Sequence, residues 1–147
     1  MISHVLKTSL ISLGVGFLAE LLNGWLSSQF LSEFFEDNLI TILVALLAIN
    51  AATMGIVLTK IRDLIDRNGG SEFFQKTRAQ MLLSVKEQIG LIVFATSLLA
   101  IKSGAAMANV PNVPLLVNSV ITGIFVYALI VLYDTAKSVL IIVDYEG

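Results

Sequence analysis

The stretch LITILVALLAINAATMGIVLT, residues 39–59, holds no charged side chain. As a helix its 21 residues measure about 32 Å at 1.5 Å per residue, and the hydrocarbon core of a bilayer is roughly 30 Å thick. Glu36 and Asp37 precede it, and Lys60, Arg62 and Asp63 follow. The pattern predicts a transmembrane helix. A buried helix of a soluble protein would need amphipathic helices to cover it, and the chain has too few.

A second pattern lies inside the first. Thr41, Ala45, Ala48, Ala52, Gly55 and Thr59 recur at spacings of 4, 3, 4, 3 and 4, which puts them on one helix face. Small side chains let membrane helices approach closely. Ala45, Ala48, Ala52 and Gly55 are therefore expected to meet another helix, in the same chain or in a neighbouring copy. Asn50 lies near mid-depth, off that stripe. A carboxamide in hydrocarbon needs a partner. It either lines a pore as a ring in an oligomer or makes an interhelical hydrogen bond, and the second reading is favoured.

The bulk composition agrees with lipid as the main solvent. The chain is 56% hydrophobic and 14% charged, with a mean hydropathy of +0.89, against about 25% charged residues in soluble domains. Residues 1–147 read as one transmembrane domain with no room for a separate catalytic one. A net charge of −2 argues against nucleic acid as a partner. With no cysteine and one histidine, His4, a zinc site is not expected. No cofactor is expected either. No nucleophile and base are arranged for catalysis, so the chain does not read as an enzyme.

The predicted architecture is all-α, with four spans near residues 8–30, 39–60, 86–106 and 115–134. The first carries a polar stripe, Ser9, Ser12, Gly16, Glu20, Asn23 and Ser27. Such a stripe must face a partner helix, a water-filled cavity or a pore. The alternative is a helix lying in the interface plane, which calls for a more charged face. A signal peptide fits poorly, because the segment is long, carries Glu20 and Asn23, and lacks a clean cleavage site.

Residues 32–38 read as a short acidic loop, with Asp37 or Asn38 capping the second span. Trp25, Phe30, Phe34 and Phe35 suit an interfacial aromatic belt. After the second span, residues 61–88 read as a helical hairpin leaving the membrane, broken at Asn68-Gly69-Gly70 and restarted at Ser71. Ile89–Ile101 is too short to cross alone. Extension outward is preferred, with Lys102 snorkelling. Asn109–Pro114 reads as a loop. Asn118 and Thr122 lie one turn apart in the fourth span.

Eight of the nine Lys and Arg residues fall on the side of the hairpin and termini; only Lys102 falls opposite. The positive-inside rule puts the hairpin and both termini in the cytoplasm.

Glu20 is the sharpest candidate. On a helix from 8 to 30 it sits near the bilayer centre, where an ionisable group is a functional hypothesis by default. It either lines a cation path or glues helices as a hydrogen-bonded acid. Asn23, Ser27, Asn50, Asn118 and Thr122 are the other intramembrane polar candidates. Arg62, Arg67, Lys76 and Arg78 are candidates for receiving a cytoplasmic protein or a nucleotide signal. A phosphate cradle at Asn68–Ser71 has only a turn and a cap behind it.

The layout from Asn38 to Gly104 resembles small membrane effectors of bacterial phage-exclusion systems, such as the RexB-like exclusion proteins. The residues concerned are the uncharged small-residue span, Lys60-Ile-Arg-Asp-Leu, the basic hairpin, and Lys86-Glu-Gln-Ile-Gly-Leu-Ile-Val. They cover a little under half of the chain. The resemblance implies a membrane-permeabilising or ion-conducting effector of the bacterial inner membrane, triggered by a cytoplasmic partner or signal, and it assigns no residue roles. The expected function is a homo-oligomeric pore. The rival is a membrane anchor that recruits a soluble partner.

Overall fold

The computed structural model describes residues 2–68, 71–104 and 113–144. They form four α-helices and no strand: α1 (Ile2–Trp25), α2 (Phe30–Asn68), α3 (Ser71–Lys102) and α4 (Val113–Asp144). Each contains a segment long and apolar enough to cross a membrane: Val5–Trp25, Phe30–Asp63, Arg78–Lys102 and Val113–Lys137. The chain is thus built as a multi-pass membrane protein.

The first helix ends earlier than its apolar run suggests. Ser27 adopts φ 50°, and the N–H groups of Ser27 and Ser28 donate to the carbonyls of Gly24 and Asn23 at 3.1 and 3.0 Å. This pairing is the Schellman motif, which closes a helix by a left-handed residue. Ser28 then caps α2, its Oγ accepting from the Phe30 N–H at 3.2 Å. Residues 32–38 are consequently not a loop; they are the first turns of α2. Asn38 is no cap, and its side-chain amide donates back to the Phe34 carbonyl at 3.0 Å. Glu33 in the first turn favours the helix dipole.

α4 is the central helix. It packs against α1, α2 and α3, whereas α1 rests on α4 and hardly touches the others. The α1–α4 crossing is close because both backbones are bare at the contact. A Cβ on Gly16 would lie 2.7 Å from the Gly123 nitrogen, and one on Gly123 would lie 3.2 Å from the Ser12 carbonyl. The polar stripe of α1 thus faces a partner helix: Thr8, Ser12, Gly16, Glu20 and Asn23 are all buried.

α2 uses a different face from the one its small residues mark. Phe35, Leu39, Leu43 and Leu46 are buried with Ala95 of α3 and Ile121, Ile124 and Ala128 of α4. Thr41, Ala45, Ala48, Ala52, Gly55 and Thr59 are all exposed. Within one chain the stripe meets no helix, which leaves only the expectation of a neighbouring copy. Bulky side chains make the contact between α2 and its partners, whereas glycines meet where the α1 and α4 backbones touch. Phe35 also leaves the expected aromatic belt, its ring lying 5.2 Å from that of Phe125. A second apolar cluster, Val57, Ile61 and Met81, joins α2 to α3 nearer their connection.

The third helix ends at Lys102, closed by the Ser103 N–H on the Leu99 carbonyl at 3.0 Å. Among the described residues its apolar segment runs from Arg78 to Lys102, with Lys86 and Glu87 inside it. Residues 69–70, 105–112 and 145–147, with the breaks and most of the second loop expected there, lie outside the described residues.

Candidate functional site

Polar side chains that the bilayer cannot solvate gather along α4 in three places. At the end of the bundle holding the α1–α2 turn, all four helices contribute to one network. The Lys102 ammonium donates to the Asn118 Oδ1 at 2.6 Å and to the Ser32 Oγ at 3.1 Å, and it pairs with the Glu36 carboxylate. The Asn118 amide donates to the Glu20 Oε1 at 3.1 Å and to Ser32 at 3.3 Å. Asn118 therefore reads an ammonium with its oxygen and a carboxylate with its nitrogen. The other Glu20 oxygen, Oε2, is buried with no hydrogen-bond partner.

Two expectations change here. Lys102 does not snorkel outward; its side chain is only 20% exposed and is held by three acceptors. α1 does not reach residue 30, so Glu20 is not at the middle of the helix. It lies five residues before the end of α1, about 7.5 Å at the helical rise, because the Schellman turn shortened the helix. Ser27 belongs to that turn and is exposed, not part of the buried stripe.

The second group is a layer between the two apolar clusters. The Asn50 amide donates to the Gln88 Oε1 at 3.0 Å and to the Ser84 Oγ at 3.2 Å. Thr135 reaches Ser84 at 3.5 Å and donates to the Val131 carbonyl at 3.1 Å. Asn50 and Gln88 are 1% and 2% exposed, so neither faces outward from the chain, and Asn50 Oδ1 and Gln88 Nε2 remain without partners.

Between these groups lies a cavity of about 310 Å³ bounded by α1, α3 and α4. Ser9, Ser12, Glu87 and Tyr127 supply its polar wall. The Tyr127 phenol and the Glu87 carboxylate line it together and interact. Ser12 is 2% exposed and its hydroxyl has no partner. The cavity is open to the outside of the bundle, since Leu13, Gly90 and Phe94 on its rim are exposed.

Asn23 and Thr122 are buried near the α1–α4 contact. Arg62 and Arg78 are exposed, while the side chains of Arg67 and Lys76 lie outside the described residues. Exposed hydroxyls along the spans bond inward to their own helix: Thr53 to the Ile49 carbonyl at 2.8 Å, Thr59 to Gly55 at 3.0 Å, and Thr96 to Ile92 at 2.8 Å. This removes the cost of presenting them to lipid. No group of three metal-ligating side chains occurs among the described residues.

Sequence reading paired neither Glu20 with Asn118 nor Asn50 with Gln88. It missed Ser32, Ser84, Thr135 and the Glu87–Tyr127 wall altogether. The lone basic residue on its side, Lys102, was the available signal for the first network. No protein-family model, characterised protein or solved structure matches the chain.

Proposed function

We propose that the chain forms a homo-oligomeric membrane assembly that passes protons or small cations, along a seam of polar groups inside each bundle. The seam follows α4 from Asn118 to Thr135, a separation of 17 positions or about 26 Å of helical rise against a hydrocarbon core of roughly 30 Å. That length is the observation that carries the reading. Glu20 and Asn118 stand at one end, Ser12, Tyr127 and Glu87 in between, and Asn50, Gln88, Ser84 and Thr135 at the other. Partnerless buried atoms on Glu20, Ser12, Asn50 and Gln88 are the acceptors and donors a transient water or ion needs. Buried polar groups inside a membrane protein mark such pathways more often than chance.

The exposed small-residue face of α2 serves contact between copies, and the basic side of the chain faces the cytoplasm, by the excess of Lys and Arg there. An effector role in bacterial antiphage defence follows from the resemblance of layout. Proteoliposomes carrying a pH- or cation-sensitive dye test the reading. Wild type is expected to dissipate an imposed gradient, and Glu20→Gln and Gln88→Leu to slow it at least tenfold. Gradients that persist equally with wild-type protein and empty vesicles overturn it.

One observation favours the anchor reading. α2 and α3 have 39 and 32 residues, about 58 and 48 Å of helix, and both exceed the bilayer core. Their joined ends, with exposed Arg62 and Arg78, present a basic surface to a soluble partner. A stoichiometric partner that co-purifies, and is lost when Arg62 and Arg78 are reversed to Glu, favours this reading if flux is absent.

A further inference from the structure

We infer that the cavity between α1, α3 and α4 is a binding site for an amphipathic organic ammonium ion that enters from the bilayer. Its volume, about 310 Å³, is at the lower end of the range of small-molecule sites, roughly 300–1,000 Å³. Most of its lining is apolar, with Leu91, Phe94 and Ile124 among it. Glu87 of α3 and Tyr127 of α4 supply polar groups, and no basic side chain lines the space.

This division matches a molecule with a hydrocarbon body and a cationic head. A carboxylate and a phenol oxygen attract the head. An anionic head would meet Glu87 unfavourably. Entry is lateral, because α1 and α3 scarcely pack against each other and the rim residues Leu13, Gly90 and Phe94 are exposed.

Binding needs no ion flux, so the site stands or falls apart from the conducting seam. The test is saturable binding of radiolabelled octylammonium to the full-length protein in nanodiscs, with octanol and octanesulfonate as competitors. Octylammonium is expected to compete with its label at least tenfold better than either. Glu87→Gln is expected to weaken it at least tenfold. Gly90→Leu is expected to abolish it while leaving the thermal transition in place, since a Cβ at Gly90 meets nothing within 4 Å and leucine is the better helix former. Equal competition by octanol, or unchanged binding in Gly90→Leu, overturns the assignment and leaves a lipid chain or a neighbouring helix as occupant.

Discussion

Gly16 of α1 and Gly123 of α4 touch backbone to backbone: a Cβ added to Gly16 would come within 2.7 Å of the Gly123 nitrogen. The neighbour that would have to move is main chain, which cannot swing aside like a side-chain tip. Gly16→Ala should therefore lower stability by about 2–3 kcal/mol, as overpacking does. Gly123→Ala, whose Cβ would meet the Ser12 carbonyl at 3.2 Å, should cost about 1 kcal/mol on the same scale. Reversible unfolding in mixed micelles measures both, and equal effects would contradict the assigned contact.

Asn118 should matter more than its lack of charge suggests. Asn118→Leu strips both the Lys102 ammonium and the Glu20 carboxyl of a partner, at about 3 kcal/mol. Glu36 is 46% exposed, so Glu36→Gln should cost about 0–1 kcal/mol. A reversed order in thermal unfolding would show that the network is held by the ion pair and not by the amide.

Ser27 occupies a backbone conformation that suits glycine, φ 50°. Ser27→Gly should stabilise the α1–α2 turn by about 1 kcal/mol, since a left-handed L-residue carries roughly that penalty. Ser27→Val should destabilise it. A glycine variant that melts lower than wild type would refute the Schellman assignment.

The Asn50 layer makes a paired prediction. Asn50→Leu alone leaves Gln88 without the hydrogen bond it accepts from Asn50, and about 1 kcal/mol is expected to be lost. Adding Gln88→Leu should recover most of that loss, because an apolar pair demands no partners. A double variant less stable than the single one would mean that the layer is worth more than its hydrogen bonds.

The exposed stripe on α2 bears on assembly. Replacing Ala45, Ala48 and Ala52 together by leucine should leave the single-chain fold intact, since none of the three is buried. Light scattering of the detergent-solubilised protein should then report a smaller particle. An unchanged mass would remove α2 from the interface.

Legibility followed the physics of each feature. Four helices were readable because hydrocarbon tolerates little else, and their apolar lengths match its thickness. The stripe on α1 was readable from its spacing, and so was the need of Asn50 for a partner. The partners were not, because periodicity assigns a face without naming what lies opposite. The α1–α2 boundary was misplaced for a local reason. Its left-handed residue is Ser27, and residues 25–31 hold no glycine, proline or charge, so the helix reads on through Ser27-Ser28-Gln29. The Asp37-Asn38 pair mimicked a cap but stands two turns inside α2.

The pairing of the first helix with the last governs how the chain is made. Glu20 and Asn118 are separated by 98 residues, and a ribosome adds about 5–20 residues per second, so roughly 5–20 s pass between their appearances. Throughout translation of the intervening helices, Ser12, Glu20 and Asn23 have no α4 to pack against. The final docking of α1 is post-insertional, and a nascent chain truncated before α4 has nothing to receive it.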